Sequence, residues 1–90
     1  MLFQFSKAIP AKSELIGNEF FNTDNIIRIV DFNDKNAKEY FLSILFNGPE
    51  PDLVRNQAGR GYEINFCFDR LEDRDEAMAF LKKHMSANVI

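Results

Sequence analysis

The chain has no tryptophan, one cysteine, one histidine and no excess of basic residues. A single cysteine cannot close an internal disulfide, which fits a reducing compartment, and a cytoplasmic location is expected. Eleven Lys and Arg against 14 Asp and Glu give a formal charge of -3 over 90 residues, the wrong balance for a dedicated polyanion binder. No apolar run approaches the roughly 18 residues that a membrane helix needs, so no membrane partner is expected. The first ten residues carry no early Lys or Arg ahead of an apolar stretch, as a secretory signal would. Repeats, low-complexity tracts and linker-like stretches are also missing, so one domain over 1–90 is expected.

What is there is ordinary globular chemistry, 46% apolar and 28% charged, with one unusual number: ten Phe beside two Tyr. Each ring buries roughly 150–250 Å² when enclosed. A domain of this size buries only about 60–65% of its unfolded surface. The rings must therefore be placed efficiently in a Phe-rich core, or some must be shared with a partner.

Turn formers cluster at Asn33–Asn36, Asn47–Pro51 and Asn56–Gly61, and the segments between them alternate with period 2. Over 62–69, Tyr62, Ile64, Phe66 and Phe68 share one face while Glu63, Asn65, Cys67 and Asp69 share the other, the pattern of a half-buried strand. Over 39–47, Tyr40, Leu42, Ile44 and Phe46 line one face, and Glu39, Phe41, Ser43 and Leu45 the other. The β-branched run 26–32 predicts a third strand, with Ile27 and Ile29 on one side and Ile26, Val30 and Phe32 on the other. The short polar loop 33–38 then makes an antiparallel hairpin. Phe3 and Phe5 alternate with Gln4 and Ser6, which allows a further N-terminal strand.

Residues 73–85 predict a helix, with Ala77, Phe80, Leu81, His84 and Met85 in one stripe. Asp73 and Glu76 resemble a capping box, and Lys82 and Lys83 suit the negative end of the helix dipole. A short helix over 10–16 is allowed by Pro10 at its first turn and Gly17 just past its end. The expected class is α+β: an antiparallel sheet of about four strands with a C-terminal helix packed on one face. A helix is about 10 Å across and a four-strand sheet roughly 15–20 Å wide. Something else must complete the cover. Either the segment 9–21 does so within the chain, or the second face, carrying Phe41 and Leu45 with Ile27 and Ile29, meets a homodimer mate or another protein.

Candidates for chemistry are few. Nucleophilic catalysis needs Cys67 within hydrogen-bond reach of His84, yet the pattern places them on opposite sides of the sheet. Asp69, Glu72, Asp73, Asp75 and Glu76 are dense, but they lack the glycine turn and distal Glu of a calcium loop and read as a solvated helix start. Gly59-Arg60-Gly61 runs into a strand rather than opening a helix, so it is no phosphate loop. No catalytic set, metal site or cofactor is expected. The stretch 48–61, at about 14 residues, exceeds the usual loop length and reads either as a hairpin connection or as a contact loop.

The element order over roughly 26–85 loosely resembles that of small four-strand-plus-helix domains of the transcriptional coactivator type, which bind single-stranded DNA. The likeness lies in element order alone. The polar side of the last strand offers Glu63, Asn65 and Asp69 where such a surface uses basic groups. The leading expectation is a small non-enzymatic accessory or regulatory protein acting through protein contacts, with Phe41, Leu45, Arg55 and Arg60 as contact residues. The alternatives are a single-stranded nucleic-acid module, using Arg28, Arg55 and Arg60, and a small-molecule carrier with its ligand between helix and sheet.

Overall fold

The computed structural model describes residues 1–13, 19–48, 61–85 and 87–90. In chain order the elements are β1 (Leu2–Phe3), a 3-10 turn (Pro10–Lys12), β2 (Phe21–Asn22), a second 3-10 turn (Thr23–Asn25), β3 (Ile26–Asp34), β4 (Glu39–Phe46), β5 (Tyr62–Phe68) and α1 (Leu71–His84). The class is α+β, with a three-stranded antiparallel sheet ordered β3-β4-β5 and a separate two-stranded sheet, β1-β2. The N-terminal strand therefore does not join the main sheet. Leu2 pairs with Asn22 and Phe3 with Phe21, and the Thr23 N–H donates to the Met1 carbonyl at 2.9 Å.

The strict alternation of β4 and β5 sends Leu42, Ile44, Phe46, Ile64, Phe66 and Phe68 to one face, each at most 1% exposed. Part of that face is covered by α1 through Ala77 and Leu81, with Met78, Phe80 and Met85 packed at the margin. The N-terminal segment covers the rest. Phe5 meets Phe66 edge-on at 5.1 Å and Phe21 stacks on Phe46 at 4.9 Å, while Phe3 lies 6.0 Å from Phe80. The cover comes from within the chain but only partly from the expected segment 9–21: Phe21 belongs to it, Phe3 and Phe5 precede it, and 14–18 lie outside the described residues.

β3 departs from its expected parity. Ile26 pairs with Phe46, but Arg28 pairs with Leu45 and Ile29 with Ile44, because a bulge lies between Ile26 and Arg28. The extra residue lets Ile26 and Ile29, three apart, both pack on the core, and leaves Ile27 59% exposed. Ile29 consequently belongs to the helix side and not to the second face.

The helix begins earlier than its apolar stripe implies. Arg70 is the N-cap and no side chain caps the end, so the capping box on Asp73 does not form. Asp73 already lies in the first turn, and its carboxylate approaches the Lys7 ammonium at 3.4 Å. His84 in the stripe is exposed, its ring 4.4 Å from Phe80. At the other end of the chain, Pro10 does open a helical turn, but the turn stops at Lys12. The Ser13 hydroxyl accepts from the Cys67 N–H at 2.9 Å, and the Ile9 N–H donates to the Cys67 carbonyl at 2.8 Å. That turn is thereby fastened to the free edge of β5. Gly17, expected to end the short helix, lies outside the described residues.

Candidate functional site

The second face of the main sheet is built from three registered rows. Phe32, Phe41 and Cys67 form one, Val30, Ser43 and Asn65 the next, and Arg28, Leu45 and Glu63 the third. Phe32 and Phe41 stack at 4.8 Å with their planes only 6° apart. Cross-strand aromatic pairs of this kind hold each other in place without any further layer. Val30 and Phe32 are each 43% exposed. Phe41 and Leu45 are half-buried, and no described element lies over the β3 side of these rows.

The charged groups of this face sit at its borders, while Ser43 and Asn65 put polar side chains in its middle row. Arg28 reaches across Leu45 to Glu63, with Nη2 and Oε2 3.7 Å apart and both side chains about half in solvent. At such exposure the pair contributes little to stability. The Ser43 hydroxyl, buried at 7% exposure, donates to Glu63. At the opposite corner Cys67 is fully buried beside the Pro10–Lys12 turn. Its thiol donates to Glu39 Oε2 at 3.2 Å, and Lys12 Nζ stands 3.8 Å from the other carboxylate oxygen of Glu39. Burial, reinforced by the hydrogen bond and negative charge of Glu39, pushes the Cys67 thiol up to about 11. A thiol so held is protonated at neutral pH and is a poor nucleophile. Cys67 belongs to the second face, whereas His84 closes the helix on the other side of the sheet, so the two do not form a dyad.

The acidic stretch at the helix start spends its charge on neighbours. Lys7 stands 3.4 Å from Asp73 and 3.6 Å from Glu76, and these carboxylates raise its pKa, the Asp73 hydrogen bond most. Arg70 pairs with Glu72 and Arg74 with Asp75. Among the described residues no three His, Cys, Asp or Glu side chains converge on a point where a metal ion would sit. Between the N-terminal segment and α1 lies an open groove of about 210 Å³, walled by Phe3, Phe5 and Phe80 and rimmed by Lys7, Asp73 and Glu76. Small-molecule pockets are more often about 300–1,000 Å³ and more enclosed.

Of the four contact residues expected from sequence, Phe41 and Leu45 lie on one face, two rows apart with Ser43 between them. Arg55 and Arg60 lie outside the described residues. Sequence reasoning missed Val30 and Phe32 as partners of Phe41 on this face. The signal was present: counting back from the turn at 35–38 sets Phe32 opposite Phe41 and Val30 opposite Ser43. Arg28 and Glu63 were likewise not seen as ends of one row. Comparison with profiles of known protein families, with curated proteins and with solved structures finds no match for this chain.

Proposed function

We propose that this chain is a small accessory or regulatory protein, without chemistry of its own, that works by binding protein through the second face of its main sheet. The observation that carries the reading is the stacked Phe32–Phe41 pair beside Val30, with Phe32 and Val30 each 43% exposed, on a sheet whose other face is sealed over β4 and β5. An apolar strip with charge at its rim has the composition of a contact surface. Phe41 and Leu45 lie on its central strand, on either side of Ser43, and Arg55 and Arg60, outside the described residues, are not used in the reading. The same face holds Glu39 and Glu63 beside Arg28, a balance that opposes a phosphate backbone. With one cysteine, free and buried, the proposed setting is the cytoplasm.

A benzophenone amino acid placed at position 32 tests this. Irradiated in extract of the source cells, it should yield a defined protein adduct. Phe41→Asp in the same chain should lower that adduct at least about fivefold while keeping the circular-dichroism spectrum and a cooperative melt, because polar substitution at the centre of a contact patch removes its anchor. Absence of any protein adduct overturns the reading. Unfolding of the Phe41→Asp chain overturns it too, since Phe41 would then be core.

A further inference from the structure

We infer that the occupant of this face is a second copy of the chain, related by a two-fold axis that runs along β4 between two facing sheets. This rests on the contact-face reading above and adds the partner to it. β4 is the middle strand of three, so rotation about its direction lays β4 on β4 and each β3 on the other copy's β5. Rows stay aligned under that rotation. Leu45 meets the partner's Leu45, and Phe41 meets the partner's Phe41. The third row has Arg28 at one end and Glu63 at the other. It therefore places Arg28 over the partner's Glu63 and Glu63 over the partner's Arg28. Facing sheets pack about 10 Å apart, within reach of an Arg and a Glu extended toward each other. A surface of this kind is its own complement, as a two-fold interface requires.

Shape agrees with charge. On the β5 side the face is raised by the Pro10–Lys12 turn, which is fastened to Cys67 and leaves it 0% exposed. On the β3 side of the same row, Phe32 stands 43% exposed with no described element above it. The rotation brings each raised corner over the partner's open one. The strip is small, about 10 Å across the strand axes and about 20 Å along them. A stable interface covers about 800 Å² per partner, so association through this strip alone is weak.

Sedimentation equilibrium from about 10 μM to about 1 mM, the range in which a weak pair populates, reads the dissociation constant directly. Arg28→Glu and Glu63→Arg, each alone, set like charges over one another at both ends of the row. Each should raise the dissociation constant at least about tenfold, since like-charge juxtaposition across an interface is costly. An equimolar mixture of the two variants should form heterodimers with a constant within about threefold of the parent, because every facing pair is then opposite in sign. Within either chain the Arg28–Glu63 pair is still broken, so an intramolecular role predicts no rescue. Circular dichroism confirms that both variants fold. Association that mixing does not rescue overturns this geometry. A parent chain that stays monomeric to about 1 mM overturns the second copy as occupant; a benzophenone adduct with a different protein would then still uphold the contact face, and no adduct would remove both.

Discussion

On the helix side of the sheet, Leu42, Ile44, Ile64 and Phe66 are at most 1% exposed, whereas side chains one step along on the other side include Phe41, half-buried, beside Val30 and Phe32 at 43%. Both sets are apolar, and both come from strands of one ladder. The difference lies in what is laid over them. Among the described residues, the helix side receives α1 and three rings from the N-terminal segment, while the other receives the Pro10–Lys12 turn at one corner. Apolar character alone therefore does not assign a residue to the core in a chain this short, and the number and width of covering elements decide.

The largest effect that separates the faces is a ring deletion on each. Phe66→Ala removes a ring that Phe5 and Phe21 both meet edge-on, at 5.1 and 5.6 Å. It should cost about 3–5 kcal/mol, a large share of the stability of a small domain. Phe32→Ala leaves solvent where solvent already reaches and should cost under about 1 kcal/mol. Urea midpoints at constant slope, taken at about 5 μM to keep self-association out, provide the comparison. Equal losses would mean that the second face is covered in the isolated chain, and the contrast would fail.

A smaller effect tests how β3, an edge strand, is held to the helix side at all. Its inward positions beyond Ile29 are Asp31 and Asn33, which cannot pack as Leu42 does. Arg74, 5% exposed, answers them from the first turns of α1. Its Nη1 donates to Asn33 Oδ1 at 2.7 Å and to the Phe32 carbonyl at 3.4 Å, and its Nη2 lies 3.8 Å from Asp31. Arg74→Ala should cost about 2–3 kcal/mol, and Arg74→Met less, since it keeps the buried stem. Hydrogen exchange should localise the loss to residues 31–34. Uniform loss of protection would show that Arg74 acts only as helix packing.

How much of this was legible follows from where alternation is unbroken. β4 and β5 keep strict period 2, so their faces, the antiparallel hairpin and the α+β class follow from the sequence. β3 does not, because the bulge at Ile27 inserts one residue and inverts parity upstream of it, and no residue type there announces a bulge. The start of α1 was missed because Leu71 stands 40% exposed outside the apolar stripe, so periodicity could not reach back to it. Phe3 reads as strand and is strand, but pairing between segments some 20 residues apart leaves no local mark, so β1-β2 was invisible. Gly61 could be flagged only as a loop glycine. Its φ of +85° and the approach of a Cβ there to within 2.6 Å of the Phe46 carbonyl oxygen show that β5 needs glycine at its threshold. Of the site, Phe41 and Leu45 were legible from alternation, while Val30 and Phe32 required the register.

The smallest effect concerns the Cys67 corner of the open face. Cys67 is protonated there and held by Glu39, with its pKa raised from 9.0 to about 11, chiefly by burial. The folded chain thus binds this proton more tightly than the unfolded chain does. Its contribution to stability is fully present below pH 9 and is lost as pH rises toward 11, because in that window the unfolded state sheds the proton first. The loss should be on the order of 2 kcal/mol across the window. To isolate the thiol, the comparison is with Cys67→Ala, whose stability should fall less over the same range in parallel urea titrations. Parallel curves for the two chains would mean that the thiol is open to water, and that the Pro10–Lys12 turn does not close the β5 corner. The second face would then be open along both edges, and the shape argument for pairing raised corner with open corner would go with it.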